Sequence, residues 1–374
     1  MRILLTGAVS TVLALSVVGP VSAQDSLVQL DNADSLPLVD YNRVEEPITE
    51  PETLEETPAS DPTENGREPE KSKPKKDKPQ VETKQLNYRI SPGAEGKYGV
   101  GQLVTISFSR DVGRRKAVED AITVTSNKKM ARGAWGWIDR RTAIYRPKRF
   151  WPGNARIQFD VQLRDALLAV DDGVHYRPKS NRTYVLRTSR KFVMKIKDST
   201  HRLHAIRDGK RLRSFPVSLG KTEGGYQTRS GIKILTSEKY VRLRMIGTDR
   251  LSGEDWDVIS PYSIRLTPTG EFIHGAPWAY SRIGLRNGSH GCTNMRVEDA
   301  KWLFNRVMRG DPTVTTGTGR KMEVTNGTPG SYWNYSWNDW LKKSTTQGLS
   351  KSDGTSNKET KKDDDASSKE TKNK

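Results

Sequence analysis

The chain contains a single cysteine, Cys292, among its 374 residues, so no internal disulfide can stabilise the fold. Hydrophobic cores must therefore supply the stability of every folded part. Once the polar terminal segments are set aside, about 260 residues remain, which is enough for two domains of ordinary size. The thiol itself is either incidental or chemically used, and its neighbours in the sequence bear on that choice.

The amino terminus has the three parts of a secretory signal peptide. Met1-Arg2 supplies positive charge, residues 3–18 are apolar, and Val21-Ser22-Ala23 ends in a small residue. Residues 1–23 are thus predicted to be a cleaved leader, which places the mature chain outside the cytoplasm, in the cell wall or a periplasm-like space. An uncleaved leader would be the one membrane contact that the sequence predicts.

The formal net charge of +18 is unevenly distributed. Residues 31–70 are acidic, residues 71–78 form a short basic run, and the remainder is strongly basic. Such a surface suits anionic partners, or is solvated without any partner. Nucleic acid is not expected, because an exported protein meets little of it and the sequence has no recognition motif. Anionic wall polymers, membrane headgroups and carboxylate-rich peptides fit better.

Two segments have compositions that cannot bury enough apolar surface to fold. Residues 24–83 are rich in Pro, Glu, Asp and Lys, and are predicted to be a disordered, acidic and proline-rich stalk. Residues 342–374 consist mainly of Lys, Ser, Thr, Asp and Glu, and are predicted to be a disordered polar tail.

Residues 84–189 have the pattern of an all-β domain. Short alternating strands recur about every ten residues and are separated by Gly, Pro, Asn and charged turns, which predicts an immunoglobulin-like β-sandwich. The strand candidates are 103–108, 122–125, 142–147, 157–161 and 184–186. Trp135 and Trp137 are expected to be core residues rather than sugar-stacking ones.

Residues 190–325 are predicted to be a second β-rich domain with one helix. The strand candidates are 192–196, 203–206, 215–218 and 232–235. Asp208-Gly209 predicts a tight hairpin turn. Apolar residues at positions 300, 303, 304, 307 and 308 have the spacing of a core-facing helix that ends before Gly310.

Cys292 lies within Ser289-His290-Gly291-Cys292-Thr293-Asn294, and His274 precedes it in Phe272-Ile273-His274-Gly275-Ala276-Pro277. A histidine within hydrogen-bond reach is the usual means of generating a thiolate near neutral pH, so the motif predicts acyl transfer through a cysteine thioester. The spacing alone favours neither His274 nor His290 as the base. A buried structural thiol, and a zinc site formed by both histidines and Cys292, are the alternatives.

Gly291 allows a sharp turn that exposes the thiol, and the predicted helix follows a few residues later. The positive end of that helix and a cationic histidine would together favour the thiolate. Backbone amides at this turn are candidate donors to the oxyanion of a tetrahedral intermediate.

The two histidine and cysteine motifs, at this interval, resemble the signature of the L,D-transpeptidases, whose catalytic domain has the YkuD-type fold. The resemblance extends from about Lys191 to Val324. Residues 84–189 resemble the immunoglobulin-like domain of actinobacterial members. Residues 326–341, with Trp333, Trp337 and Trp340, resemble their tryptophan-rich C-terminal subdomain, which we expect to dock as a short helix on the catalytic domain. The predicted fold class is therefore mainly β: a sandwich, a catalytic domain and a small C-terminal subdomain.

By this resemblance Cys292 is the nucleophile, His274 is the base, and the carbonyl of Gly275 orients the imidazole. The residues that it implies around the substrate and the oxyanion are Ser289, His290, Gly291, Asn294 and Tyr262, the last as the tyrosine of a flap over the acyl site. The amide of Cys292 is the second oxyanion donor. Thr293 and Arg296 depart from close relatives and are expected to alter the acceptor pocket.

The implied reaction has two steps. Cys292 attacks the carbonyl that joins a diamino-acid residue to terminal D-alanine in a peptidoglycan stem tetrapeptide, and His274 protonates the departing D-alanine. The side-chain amine of a neighbouring stem then attacks the thioester and forms a 3→3 cross-link. Carbapenems would acylate the same thiol, and no metal or organic cofactor is required. An L,D-carboxypeptidase, in which water is the acceptor, and a non-catalytic wall-binding protein are the alternatives.

Overall fold

The structure, a computed structural model of the chain, describes residues 38–40, 81–94, 96–324 and 330–345, the first of these in the backbone alone. The predicted leader lies outside the described residues, as do most of the predicted stalk and most of the predicted tail. Within the described ranges no helix is both long and apolar enough to cross a membrane.

The first half of the described chain is a β-sandwich. Strand β1 (Leu38–Asp40) precedes it in the chain and belongs to a sheet of the second half. The elements of the sandwich half, in chain order, are β2 (Thr83–Gln85), β3 (Tyr88–Ser91), β4 (Val104–Phe108), α1 (Arg115–Asp120), β5 (Ile122–Ser126), β6 (Gly133–Trp137), β7 (Thr142–Pro147), β8 (Arg156–Val161), β9 (Ala169–Asp171), β10 (Val174–Arg177) and β11 (Arg182–Arg187). The sheets β3-β4-β7-β6 and β11-β8-β5 enclose one hydrophobic core, and β2-β10-β9 form a third, small sheet. The predicted immunoglobulin-like sandwich is confirmed.

Strand β6 is buried along its whole length, which is unusual for a strand of a two-layer domain. Trp135 and Trp137 turn into the sandwich core, where the indole of Trp137 donates to Glu119 at 2.9 Å. Their predicted core role is confirmed. The opposite face of β6 carries Ala134 and Gly136, and the C-terminal segment covers it.

The second half holds two further sheets. Its elements are β12 (Phe192–Lys197), β13 (Arg202–Arg207), β14 (Lys210–Pro216), β15 (Gly231–Ile234), β16 (Lys239–Thr248), β17 (Asp255–Arg265), β18 (Phe272–Gly275), β19 (Thr293–Met295), α2 (Val297–Phe304) and β20 (Pro312–Thr316). The strand orders are β14-β13-β12-β20-β15 and β1-β16-β17-β18-β19. Apolar side chains from both sheets and from α2 form a second core.

The predicted hairpin at Asp208-Gly209 is confirmed, because both residues have left-handed φ values, 50° and 84°, between β13 and β14. The predicted helix is shorter than its apolar pattern. Helix α2 ends at Phe304, and the amide of Val307 bonds to the carbonyl of Leu303 in a closing turn. Val307 lies beyond the helix but is buried in the same core as Leu303. Its apolar side chain therefore continues the helical pattern in the sequence although the helix has ended.

Part of the predicted stalk has regular structure. Strand β1 pairs in parallel with residues 244–246 of β16. Thr83, the last residue of the predicted stalk, begins β2. The prediction of disorder is therefore wrong at these four residues. The physical reason is that β16 is the outer strand of a long hairpin. Its free edge has unpaired backbone N–H and C=O groups, and residues 38–40 can form hydrogen bonds with them.

The tryptophan-rich segment forms a 3₁₀ turn at Ser331–Asn334 and helix α3 (Trp337–Leu341). Trp340 is fully buried, but it docks on the sandwich rather than on the second domain as predicted. Its indole donates to the carbonyl of Ala134 at 3.1 Å and packs directly on Gly136. A glycine at this point of β6 lets the indole approach the backbone, which is why the docking site is the sandwich.

Other contacts of this segment reach both domains. On the side of the sandwich, Arg146 donates to the carbonyl of Tyr332 at 2.8 Å. The side-chain oxygen of Asn334 accepts from the amide of Ile232 at 2.7 Å, on the second domain. The C-terminal segment therefore joins the two domains.

Candidate active site

Strands β18 and β19 lie side by side in parallel, with Ile273 opposite Thr293 and His274 opposite Asn294. A parallel pair needs a connection of about a dozen residues or more, and the interval between His274 and Cys292 provides it. Cys292 directly precedes β19, so this pairing brings the thiol and the imidazole to one cleft of about 490 Å³.

His274 is positioned by its own backbone neighbour. Its Nδ1 lies 2.9 Å from the carbonyl oxygen of Gly275, so the proton of the neutral ring resides on Nδ1. The lone pair of Nε2 is then available to accept a proton. This is the orientation that the resemblance implied for Gly275.

Burial sets the protonation state of this imidazole. His274 is 2% exposed, and burial lowers its pKa to about 4, an effect that the Gly275 carbonyl offsets only in part. The ring is therefore neutral at neutral pH and ready to act as a base. The predicted cationic histidine beside the resting thiol is therefore not His274.

Two hydroxyl groups hold the turn before Cys292. Ser289 Oγ donates to the carbonyl of Cys292 at 2.6 Å and accepts from the amide of Gly291 at 3.1 Å. Thr228 Oγ1 donates to the carbonyl of Gly291 at 2.8 Å. Gly291 has a φ of 127°, which residues with a Cβ rarely adopt, so the turn requires glycine. Cys292 Sγ lies 3.6 Å from the carbonyl oxygen of Gly270.

This turn differs from the sequence prediction in two respects. The amide of Gly291 is engaged by Ser289, so its predicted role as an oxyanion donor would require that bond to be exchanged. Helix α2 begins at Val297, and the extended β19 and Arg296 separate its end from Cys292 by roughly 15 Å, at about 3.3 Å per residue. A helix dipole acts within about one turn, so it does not explain thiolate formation.

His290 is held by a carboxylate and two aromatic rings. Its Nε2 donates to Asp249 at 2.7 Å, and Lys221 lies 2.6 Å from the same oxygen. The hydrogen bond from Lys221, which has the larger effect, and that from His290 hold the pKa of Asp249 well below its usual range. The imidazole stacks on Trp256, with ring centroids 5.3 Å apart and an angle of 3°, and meets the edge of Tyr226 at 4.6 Å.

The hairpin formed by β16 and β17 contributes Met245, Trp256 and Val258 to the cleft. Tyr262, predicted to be the flap tyrosine, instead packs against Phe304 of α2, with ring centroids 5.6 Å apart. Its φ of 52° interrupts the strand alternation that would place it on the side of Trp256 and Val258. The aromatic side chain that this hairpin places in the cleft is Trp256.

The cleft brings together most of the predicted site residues. Those that line it are His274, Ser289, His290, Cys292 and Asn294. Thr293 is fully buried and Arg296 lies exposed over Tyr280, so neither belongs to the cleft wall. Within the described residues no three His, Cys, Asp or Glu side chains are grouped closely enough to hold a metal ion.

Sequence reasoning missed Lys221, Asp249 and Trp256. Asp249 lies in the polar turn between β16 and β17, and its partner His290 is 41 residues away. A turn signal is visible there in Asp249 and Ser252-Gly253, but nothing in the spacing indicates the histidine. These residues reach the site through the tertiary fold alone.

Comparison with known proteins gives matches to both domains. Residues 63–166 match the bacterial Ig domain, and residues 191–316 match the L,D-transpeptidase catalytic domain, YkuD. The chain is 29% identical over 259 residues to L,D-transpeptidase 2 of Mycobacterium tuberculosis (strain CDC 1551 / Oshkosh), which covers 67% of this chain and 60% of that protein. It is 28% identical over 233 residues to L,D-transpeptidase 1 of the H37Rv strain, which covers 61% of this chain and 84% of that protein.

Among solved structures, one that resembles this chain is the structure of the L,D-transpeptidase LdtMt1 in complex with imipenem. The TM-score is 0.50 at 27% sequence identity, over 61% of this chain and 97% of that chain.

Proposed function

We propose that this chain, which carries a bacterial Ig domain followed by an L,D-transpeptidase catalytic domain, forms 3→3 cross-links between peptidoglycan stem peptides. One observation carries the proposal. Cys292 shares a cleft with a neutral imidazole, His274, whose Nδ1 proton is committed to Gly275, so that Nε2 can take the thiol proton. We further propose that residues 1–23 direct the chain out of the cytoplasm to this substrate.

In the first step, His274 Nε2 takes the proton from Cys292 Sγ as the sulfur attacks the carbonyl before terminal D-alanine. The C–N bond breaks, the imidazolium returns its proton to the departing amine, and D-alanine leaves with a thioester on Cys292. A pKa of about 4 makes His274 a weak base in the resting enzyme and its conjugate acid a strong proton donor. This suits the second half of the step, in which an amine must be protonated.

In the second step, the side-chain amine of an acceptor stem attacks the thioester. Its surplus proton passes to His274 and then to the Cys292 sulfur as the C–S bond breaks. The new amide joins two diamino-acid residues, and the enzyme returns to its starting state. Hydrolysis of the same thioester would give a trimmed tripeptide instead.

The comparisons support the proposal. The relatives are named L,D-transpeptidases, and one solved neighbour is complexed with imipenem, a β-lactam that can acylate a nucleophile. Arg282 and Arg286 also line the cleft and suit an anionic stem peptide, whereas Lys221 is paired there with Asp249.

Intact-protein mass spectrometry with imipenem tests the nucleophile. Wild-type protein should gain one adduct mass, and Cys292→Ala should gain none. His274→Gln, which cannot take the thiol proton, should acylate at least about 100-fold more slowly. A folded wild-type protein with a free thiol that gains no mass would rule out the proposed nucleophile and leave the wall-binding alternative.

Product analysis with a stem tetrapeptide separates the two enzymatic reactions. The proposal predicts D-alanine release together with cross-linked dimers. Tripeptides without dimers, in the presence of excess acceptor, would identify an L,D-carboxypeptidase.

A further inference from the structure

A second cavity, of about 370 Å³, adjoins the catalytic cleft. Trp256 and His290 line both spaces, so their stacked rings form the wall between them. Gly291 and Gly270 also line the second cavity, and the carbonyl oxygen of Gly270 lies 3.6 Å from Cys292 Sγ. A ligand group held here therefore lies beside the turn that carries Cys292.

This cavity, the arginine pocket, is lined by Arg229, Arg250 and Arg320. Among the described residues that line it, the one carboxylate is Glu271. Two cations already neutralise it: Arg229 at 3.1 Å, and the fully buried Lys233 at 2.7 Å. Arg250 and Arg320 are left in excess.

The two remaining guanidinium groups lack a close anionic partner among the described residues. Arg320 donates to the carbonyl of Gly225 at 2.9 Å, and the carboxylate it approaches, Glu323, is 3.9 Å away and 65% exposed. Arg250 lies over the ring of Tyr226 at 5.3 Å. Burial, followed by repulsion from neighbouring arginines, lowers the pKa of Arg320. An anion in the pocket would relieve this repulsion.

We propose that Arg250 and Arg320 bind a carboxylate of the stem peptide, so that the enzyme selects substrates with a free rather than an amidated carboxyl group. This inference rests on the proposed function. Guanidinium groups bind carboxylates through two parallel hydrogen bonds, and they discriminate strongly against a neutral amide. Because Gly270 and Gly291, which flank the thiol, line the pocket, the carboxylates to consider are those within a few bonds of the reacting carbonyl.

Two carboxylates satisfy that restriction. One is the terminal carboxylate of the D-alanine that leaves the donor, and the other stands beside the side-chain amine of an acceptor such as diaminopimelate. Both have the same chemistry, and two pairs of ligands distinguish them. The donor pair is a tetrapeptide that ends in D-alanine and its D-alaninamide form. The acceptor pair is a stem with diaminopimelate and a stem with lysine, which lacks that carboxylate.

Calorimetric titration of full-length Cys292→Ala protein with each pair measures binding without turnover. In one pair the carboxylate form should bind at least about tenfold more tightly at low salt, as expected for charge-assisted hydrogen bonds to arginine. The preference should shrink as salt is added. Introducing Arg250→Ala and Arg320→Ala into the Cys292→Ala protein should bring the ratio of the two affinities in that pair close to one.

The matched control removes two exposed arginines of the sandwich, Arg140→Ala and Arg164→Ala, and should retain the preference. Arg250→Lys keeps the positive charge but cannot form two parallel hydrogen bonds to a carboxylate, so it should retain part of the preference. Because Arg250 is exposed, Arg250→Ala alone should fold and still reduce the ratio. A ratio near one for both pairs, or a ratio that the arginine variants leave unchanged, overturns the proposal.

Release of D-alanine by the wild-type enzyme separates this inference from the proposed function. If wild-type protein releases D-alanine and forms cross-linked dimers, Cys292→Ala does neither, and no carboxylate preference is found, the transpeptidase function stands and the pocket proposal fails. If no D-alanine is released at any substrate concentration, the function fails whatever the pocket binds.

Discussion

Asp249 accepts a hydrogen bond from His290 Nε2 at 2.7 Å, and so links the turn between β16 and β17 to the loop that carries Cys292. Lys221 joins the same carboxylate oxygen at 2.6 Å. Together with the rings of Trp256 and Tyr226, this carboxylate of the hairpin turn therefore fixes the His290 ring, which forms part of the wall between the cleft and the arginine pocket.

Asp249→Asn should slow acylation by imipenem by about 10- to 100-fold, because it replaces two charge-assisted hydrogen bonds by weaker ones. The second-order acylation rate constant, from the time course of adduct mass, measures this. Asp255→Asn is the matched control, because Asp255 lies in the same hairpin, is exposed and accepts from Thr248 at 2.7 Å. Equal rates for the two variants would show that Asp249 does not position the site.

The pH dependence of acylation should reflect the lowered pKa of His274. Because the ring is the base in its neutral form, the rate should stay nearly constant from pH 7 down to about pH 5 and fall near pH 4. An ordinary histidine would give a midpoint near 6.5. Rates of imipenem acylation between pH 4 and 8 measure the midpoint, and a value near 6.5 would contradict the effect of burial.

The same pKa shift has a consequence for stability. The folded pKa of His274 is about 4, below the ordinary value, so as the pH falls from 6.5 the unfolded chain takes up the proton first. The free energy of unfolding should therefore decrease with falling pH, with His274 contributing a loss of about 2 kcal/mol by pH 5 and nothing above about pH 7. Urea unfolding of wild type and His274→Gln at pH 7 and pH 5 isolates this contribution. An equal loss in both proteins would assign it to other groups.

The buried pair Lys233–Glu271 should be sensitive to the loss of one partner. Lys233→Met leaves the Glu271 carboxylate buried with Arg229 alone, and should lower the free energy of unfolding by about 3 kcal/mol. Lys342→Met is the control, since Lys342 and Asp339 have the same 2.7 Å separation in an exposed pair, and it should cost less than about 1 kcal/mol. The double variant Lys233→Met, Glu271→Met should recover part of the loss. Similar costs for the buried and exposed pairs would contradict this account.

Thr293→Val should leave the protein at least as stable as wild type. Thr293 is fully buried, and its hydroxyl oxygen has no hydrogen-bond partner among the described residues. An isosteric methyl group removes that unsatisfied oxygen, so the free energy of unfolding should rise by about 1 kcal/mol, with acylation by imipenem unchanged. A lower melting temperature for Thr293→Val would reveal a partner for the hydroxyl.

The parts of this molecule that the sequence predicts well are those encoded locally. A left-handed Asp208-Gly209 pair gives its hairpin because few other residues adopt those angles. His274 in β18 and Cys292 directly before β19 belong to two short motifs at a fixed interval, which the sequence shows directly. Asp249 and Trp256 could not be predicted, because a long hairpin brings them to His290 and no local pattern records that contact.

The docking site of Trp340 was also missed, for a related reason. Helical spacing shows which face of a short helix is apolar, but not which surface receives it. The receiving surface is defined by an absent side chain, that of Gly136 on β6. A glycine within a strand is equally typical of a bulge or a sharp bend, so the sequence does not mark Gly136 as a docking point.

That interface provides a test of how the C-terminal segment contributes to the fold. Trp340→Ala should lower the free energy of unfolding by about 3 to 5 kcal/mol, because it empties a fully buried site and removes the bond to Ala134. Trp337→Ala, in the same helix but only partly buried, should cost clearly less. Denaturant unfolding of the full-length protein measures both.

Gly136→Ala tests the same contact from the opposite side. A Cβ at this position would come within 2.6 Å of the Trp340 indole, so the substitution should cost about 1 to 3 kcal/mol in wild type. In the Trp340→Ala background the methyl group meets no indole, and most of that cost should disappear. The two losses are thus expected to be strongly non-additive. Additive losses would mean that Trp340 and Gly136 are not in contact in solution, and that the C-terminal segment joins the domains through Asn334 and Arg146 instead.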